Sequence, residues 1–258
     1  MLEGGNYYDV MRHWLLIDGK PTKDFGVYLS GNGTFKAAEK NLEEFTIPGR
    51  NGTFHYKSDT YKNVIVPYDC FIFKDFKRNV AALRSFLLSR EGYVRIEDTH
   101  HPDEFRMGIY HEEFAPDVFD DLTAAQFTLN FDCKPERWMK SGEKKITLTQ
   151  NGVIYNPTYF TAKPLIRLYG NFDNSAAINI QSTTVPRTEV YVRLPAEGYA
   201  DIDTETGDVY CGNKNLNSNT AFESSNKDCK FPTLAPGRND VLFANVTKVE
   251  IIPRWWSL

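Results

Sequence analysis

The stretch Ala125–Cys133, with the sequence AQFTLNFDC, decides the fold class because apolar and polar side chains alternate along it without interruption. A β-strand with one buried face requires this alternation, since successive side chains point to opposite faces of a sheet. The preceding segment repeats the pattern at Phe105, Met107 and Ile109. Strands with one buried and one exposed face are typical of antiparallel sheets. The sequence therefore predicts a mainly β protein.

A single segment has the period of a helix rather than of a strand. Its apolar residues fall on one stripe of a 3.6-residue repeat: Phe76, Val80, Leu83 and Leu87. We expect a helix over about residues 75–91, with Asp75 as its N-cap and Gly92 just beyond its end. The first half is therefore predicted to be an α+β domain, an antiparallel β-sandwich that carries one helix.

Two domains are expected in a chain of 258 residues, because one domain usually contains roughly 100 to 150 residues. A boundary is predicted near PERW (135–138), since the run KSGEKK (140–145) that follows is wholly polar. Beyond it, short strands alternate with clusters of turn residues, which is typical of an antiparallel sandwich. The predicted domains are residues 1–140 and 141–258.

Charge and hydropathy restrict the class of partner. Lys and Arg number 30 and Asp and Glu number 34, so the formal net charge is −4. This balance creates no field that would draw the chain to nucleic acid or to anionic lipid. No segment is apolar for about 18 residues, and the N-terminus lacks the features of an export signal. We expect protein partners, glycan partners or none, with neither membrane insertion nor specific nucleic-acid binding.

The four cysteines are widely spaced and form no Cys-x-x-Cys pair, which argues against a zinc site. Cys70 and Cys133 lie in apolar strand patterns and are expected in the core. Cys211 and Cys229 lie in polar sequence, and whether they form a disulfide stays open.

Three histidines, His100, His101 and His111, are the natural candidates for metal binding or acid–base chemistry. Consecutive side chains in a strand or loop point in divergent directions, however. The pair at His100 and His101 therefore suits a polar hairpin loop better than a metal site.

The segment DIDTETGD (201–208) imitates the start of a calcium loop, with oxygen-bearing side chains at alternate positions. Its glycine is one place late, and Gly212 stands where such a loop needs a bidentate Glu. We expect two strands joined at Thr206-Gly207, with their acids facing solvent. No phosphate loop, dinucleotide fingerprint or nucleophile elbow is present in the sequence. The sequence thus predicts no catalytic residue, no metal site and no cofactor.

Several segments, in this order, resemble the distal tail (Dit) proteins of siphophages that infect Gram-positive bacteria. They are LIDGK (16–20) with DFGVY (24–28), IPGRNG (47–52), the predicted helix followed by YVRI (93–96), PERW (135–138), NPT (156–158), PLIRLYG (164–170), LAPGRN (234–239) and PRWW (253–256). Each motif is short, but their order and spacing extend over nearly the whole chain.

The resemblance implies a structural virion subunit and not an enzyme. In that family the N-terminal β domain closes into a hexameric ring around the DNA channel, and the C-terminal domain is a galectin-like sandwich. The implied partners are further copies of the same chain, in one ring or two stacked rings, together with the major tail (tube) protein and the tail-associated lysin or fibre protein. A receptor-binding or tape-measure protein is a further implied partner. The implied location is the distal end of the phage tail, after assembly in the host cytoplasm.

The family's ring also uses a hairpin arm that embraces the neighbouring subunit, and the candidate here is the segment Glu39–Tyr61. Its strands are expected at Asn41–Phe45 and Thr53–Tyr56. The candidate intersubunit residues are those of the connecting turn: Ile47, Pro48, Gly49, Arg50, Asn51 and Gly52. Pro followed by Gly suits a type II turn. An isolated hairpin is marginal in water, so a partner is expected to stabilise it.

A carbohydrate-binding β-sandwich with an adhesive role is the alternative from a different class. Such a module would expose two or three aromatic residues on one surface and would be stabilised by a sugar. A ring scaffold would instead self-associate with closed symmetry.

Overall fold

The computed structural model describes residues 11–31, 33–73, 75–119, 123–184, 187–224 and 231–258. Over these ranges the chain is mainly β, with antiparallel sheets and one α-helix, which confirms the predicted fold class. Two compact units are present: the first ends at Arg137, and the second is Trp138–Ser257. Each unit contains its own cluster of buried apolar side chains.

The first unit contains ten strands, one short 3-10 helix at Thr22–Phe25 and the helix α1 (Phe76–Leu88). Its strands are β1 (Leu15–Ile17), β2 (Lys20–Pro21), β3 (Val27–Leu29), β4 (Lys40–Thr46), β5 (Thr53–Tyr61), β6 (Val64–Phe73), β7 (Val94–Asp98), β8 (Glu104–Ile109), β9 (Asp117–Val118) and β10 (Ala124–Cys133).

One antiparallel sheet organises this unit, in the order β2-β1-β7-β8-β10-β6-β3, with β9 paired to β10. The pairing of β10 with β6 runs from Ala124 opposite Phe73 to Cys133 opposite Val64. Alternate residues of β10 are buried, and Phe131 is fully so. The alternating stretch is therefore a strand with one face in the core, as its sequence predicts.

Helix α1 places Leu83, Phe86 and Leu87 in the core. Asp75 occupies its N-cap position but makes no capping hydrogen bond, so that part of the prediction is wrong. The reason is its left-handed backbone, with φ 43°, whereas a capping side chain usually extends from the β region. The helix ends at Leu88 rather than at residue 91, and the next amide, that of Ser89, donates to the Ser85 carbonyl.

The second unit contains the remaining strands and two 3-10 helices, at Lys140–Glu143 and Asn217–Asn219. The strands are β11 (Arg137–Met139, which begins at the unit boundary), β12 (Ile146–Leu148), β13 (Gly152–Asn156), β14 (Leu165–Tyr169), β15 (Ser175–Gln181), β16 (Thr188–Arg193), β17 (Tyr199–Asp203), β18 (Asp208–Cys211), β19 (Lys214–Asn215), β20 (Thr220–Ser224), β21 (Gly237–Ala244), β22 (Lys248–Ile252) and β23 (Trp256–Ser257).

Two antiparallel sheets form this unit, in the orders β12-β22-β14-β17-β18-β19 and β13-β21-β15-β16-β20. Ile166 and Leu168 from the first sheet lie in the same buried cluster as Ile178 and Val190 from the second. The two sheets therefore pack face to face as a sandwich.

Candidate intersubunit hairpin

The segment that contains the candidate site folds as a hairpin, which we call the arm (residues 39–61). Among the described residues, β4 and β5 pair only with each other. Their register runs from Lys40 opposite Tyr61 to Thr46 opposite Thr53, with an irregularity between Lys40 and Leu42. A two-stranded sheet of this kind has little stability of its own in water. The arm is therefore a structural element in need of a partner.

The six sequence-predicted residues, 47–52, form the turn at the end of the arm. The amide of Arg50 donates to the Ile47 carbonyl at 3.1 Å, and Gly49 has φ 82°. A type II turn needs this positive φ at its third residue, which only glycine adopts without strain. Pro48 stands at the second position, where its fixed φ is suitable.

One face of the arm carries three exposed aromatic side chains. Phe45 lies directly opposite Phe54, and Tyr56 lies opposite Glu43, two residues away from Phe45. Directly paired residues share a face, so Phe45, Phe54 and Tyr56 form one surface, which we call the aromatic face. Their side chains are 51%, 56% and 59% exposed. A contiguous exposed apolar surface of this kind is typical of a protein interaction site.

The opposite face of the arm is mainly polar, although Leu42, which is 48% exposed, also lies on it. Glu44 lies opposite His55, with 3.5 Å between carboxylate oxygen and imidazole Nδ1, and Thr46 lies opposite Thr53. Both side chains are at least half exposed, so this pair contributes little stability. The arm is thus amphipathic, with one side suited to solvent and the other to a protein surface.

The aromatic face is not among the residues predicted from sequence. Aromatic residues in β proteins mostly fill cores, so residue type alone gives no sign that Phe45 and Phe54 are exposed. A usable signal is the period-two spacing of Phe54 and Tyr56 within a segment predicted to form an isolated hairpin.

The three candidate histidines do not converge. The ring of His100 stacks on His13, with 3.9 Å between centroids, while His101 Nδ1 lies 2.9 Å from an Asp98 oxygen. His111 is exposed in a different loop. Burial, and then the neighbouring His13, lowers the pKa of His100. No group of three His, Cys, Asp or Glu side chains in the described ranges is arranged to hold a metal ion.

Two of the four acids in the calcium-like segment, Asp201 and Asp203, are paired with arginines. Arg167 donates to both carboxylate oxygens of Asp201 at 2.6 and 2.7 Å, and Arg254 donates to both of Asp203 at 2.7 and 2.9 Å. The expectation that these acids face solvent is wrong for Asp201, which is buried in the β14–β17 pair. A guanidinium neutralises each carboxylate and takes the place that a cation would need.

The cysteines are buried where the structure describes them. Cys70 and Cys133 lie in the first core, as predicted, and Cys211 lies in the second. Cys229 falls outside the described residues, so whether it pairs with Cys211 stays open.

A cleft of about 500 Å³ lies between the first 3-10 helix and the start of α1. Its charged lining residues are Lys23, Asp24, Asp75 and Arg78, two of each sign. The described residues that line it include no histidine, cysteine or serine. No helix of the described chain is both long and apolar enough to span a bilayer.

The described residues define a class: an antiparallel β protein of two units, with one α-helix and a hairpin that pairs with no third strand. No protein-family model matches the sequence. No curated protein matches it either.

Solved structures do match. The Dit protein of phage SPP1, described as a paradigm of the hub adsorption apparatus in phages that infect Gram-positive bacteria, matches with a TM-score of 0.71 and 16% identity. The match covers 95% of this chain and 99% of that one.

Two structures of the phage P2 baseplate in its activated conformation, with Ca and with Sr, match with TM-scores of 0.53 and 0.54. Their identities are 13% and 12%, over 93% of this chain and 97% and 96% of theirs. The chain therefore has the fold of these phage proteins, which confirms the Dit resemblance at the level of fold.

Proposed function

We propose that the chain is the distal tail (Dit) hub protein of a siphophage of Gram-positive bacteria, a structural virion protein and not an enzyme. The observation that carries this proposal is the extent of the fold match, which includes 95% of this chain and 99% of SPP1 Dit. The ordered motifs of the sequence support the same family.

In this proposal the N-terminal domain, residues 1–140, forms a hexameric ring around the DNA channel. The C-terminal domain, residues 141–258, is a galectin-like sandwich on the ring's periphery. The net charge of −4 favours such a role, because a strongly basic protein would hold the phosphate backbone of DNA that must slide past it.

The arm joins neighbouring subunits of the ring. Its aromatic face supplies the apolar surface, and fully burying a large apolar side chain contributes about 1.5–3 kcal/mol. Each subunit offers its arm to the next, which is a head-to-tail interface that closes into a ring when the rotation between subunits is suitable.

The proposed partners follow from the position of a hub in the tail. On one side the ring binds the major tail protein of the tube, and on the other it binds the tail-associated lysin or fibre protein. Receptor-binding and tape-measure proteins are further partners. The protein resides at the distal end of the virion tail and is assembled in the host cytoplasm.

The test is light scattering over a concentration series, followed by negative-stain imaging of the largest species. We expect six times the protomer mass of 29.6 kDa and a six-fold ring with a central hole. A monomer at every concentration, both alone and mixed with the tail-tube protein, would contradict the proposal.

Carbohydrate binding is the second candidate, and one observation favours it. The second unit exposes three large aromatic side chains, Tyr155, Tyr159 and Phe172, with Tyr159 94% exposed. Aromatic rings of this kind stack on sugar faces. A glycan array should then give binding that Tyr159→Ala removes, and the bound sugar should raise the unfolding temperature.

A further inference from the structure

An irregular segment, residues 33–38, connects the arm to the rest of the first unit, and we call it the root. No strand or helix includes it, so its peptide groups have no ladder to satisfy them and need other partners. At the other end of the arm, the amide of Lys62 donates to the Glu39 carbonyl at 2.9 Å, which brings the two ends together.

Two arginines supply partners for the root. Arg106 Nη2 donates to the Lys36 carbonyl at 2.9 Å. Arg137 Nη2 donates to the carbonyls of Thr34 and Lys36 at 3.1 and 3.2 Å. Arg106 lies on β8, and Arg137 is the last residue of the first unit, so these bonds tie the root to distant parts of the chain.

Both arginines are buried, with 6% exposure for Arg106 and 8% for Arg137. A buried charge is costly unless hydrogen bonds and opposite charges compensate it. Glu104 accepts from Arg137 Nη1 at 3.3 Å, and the root carbonyls accept from Nη2 of each arginine. Arg106 Nη1 and Arg137 Nε are buried without a hydrogen-bond partner among the described residues, so the bonds to the root are a large part of what compensates the two charges. Burial, and then the proximity of Arg137, lowers the pKa of Arg106. The arginines and the root therefore depend on each other.

The root also packs on the loop between β7 and β8. The ring of Phe35 meets His101 edge to face at 5.2 Å, and His101 is held in turn by Asp98. A Cβ added at Gly33, which has φ 85°, would lie 3.0 Å from His100 Cβ. The root is thus in contact with the body of the unit along most of its length.

We propose that Arg106 and Arg137 are positioning residues that fix the direction in which the arm leaves the unit, and thereby allow it to reach a neighbouring subunit. The second part rests on the proposed function. A guanidinium presents a planar fork that serves several acceptors at once, whereas a lysine ammonium is a point charge on a flexible stem. Replacement of either arginine by lysine therefore keeps the positive charge but removes hydrogen bonds that hold the root in place.

The first test measures the arm's direction in the full-length protein. Nitroxide labels are attached through an unnatural amino acid at Asn51, in the turn of the arm, and at Lys77, on α1. Labelled protein is diluted into unlabelled protein, and pulsed electron paramagnetic resonance gives the distance distribution. We expect a narrow distribution for the parent and one about twofold broader for Arg137→Lys and for Arg106→Lys.

The control variant is Arg95→Lys, on the strand next to β8. Its guanidinium donates to Glu97 at 2.6 Å and lies over Phe105. This variant should keep the narrow distribution. Near-UV circular dichroism verifies that each variant is folded, and either of the two root variants suffices if the other fails to fold.

A folded root variant with the parent's narrow distribution would overturn the proposal, as would a broad distribution in the parent itself. Sedimentation velocity then measures assembly, for which we expect about tenfold weaker association in the root variants. A broadened distance distribution with unchanged association would overturn the second part of the proposal, that the arm's direction allows it to reach a neighbouring subunit. If the parent protein never associates, the proposed function is contradicted. The resonance distances would still test whether the two arginines fix the direction of the arm.

Discussion

Buried Glu250 on β22 accepts hydrogen bonds from three neighbours: Lys248 Nζ at 2.8 Å, Tyr169 Oη at 2.9 Å and Lys145 Nζ at 3.0 Å. Lys248, followed by Lys145 and Tyr169, lowers the pKa of Glu250 from its ordinary 4.5 to about 2. Because the carboxylate is favoured in the folded state, its stabilising contribution is complete above pH 4.5. That contribution is lost as the pH falls through about 2.

Glu250→Gln should therefore lower stability at neutral pH and flatten its pH dependence between 4.5 and 2. Urea unfolding at several pH values measures both effects. Arg193 and Asp173 form an exposed pair in the same unit, so Asp173→Asn is a control that should change stability little. Equal pH slopes for the parent and Glu250→Gln would contradict this account.

At the residue scale, local sequence predicts the environment of some side chains and fails for others. Cys70 and Cys133 are core residues, as their apolar neighbours in sequence indicate. Asp201 is not on the solvent face, because its partner Arg167 lies on a strand that only the fold brings alongside. The root contacts of Arg106 and Arg137 are equally non-local, so no local pattern could reveal them.

At the element scale, the turn of the arm was predicted from sequence, whereas its exposed aromatic face was not. Its Pro48-Gly49 turn follows from local chemistry, because Gly49 needs a positive φ. The exposure of Phe45 and Phe54 depends instead on the absence of any third strand beside β4 and β5 in the described chain. Helix α1 was likewise predictable from its period, whereas the failure of Asp75 to cap it depends on the local backbone.

The double variant Phe45→Ser/Phe54→Ser should abolish self-association and leave the protomer folded. The arm contributes no side chain to the buried clusters of the described residues, so we expect unfolding free energy to change by less than about 0.5 kcal/mol. Sedimentation velocity and urea unfolding measure the two quantities. Phe172→Ser, at an exposed position of the second unit, is the matched control. Normal association of the double variant would exclude the aromatic face as the interface.

At the scale of the whole molecule, the two units have separate cores. Helix α1 and the clearest long strands, such as β10, were readable from sequence because they have a local period, whereas a two-residue strand such as Lys214–Asn215 has none. The pairing of strands into sheets was not readable, since it joins residues far apart, as β10 joins β6.

Residues 138–258, expressed alone, should fold and remain monomeric, because one closed sandwich core lies within them. Circular dichroism should show a single cooperative thermal transition, and light scattering should give the mass of one fragment. An unfolded fragment would contradict the independence of this core. A fragment that forms the oligomer by itself would place the interface outside the arm.

Native mass spectrometry of the full-length protein tests the central claim most directly, with Phe45→Ser/Phe54→Ser beside it. The account predicts a species of six times 29.6 kDa for the parent and a single protomer for the variant. A parent that stays monomeric at every concentration would contradict the ring. A hexamer that persists in the variant would contradict the arm as the element that closes it.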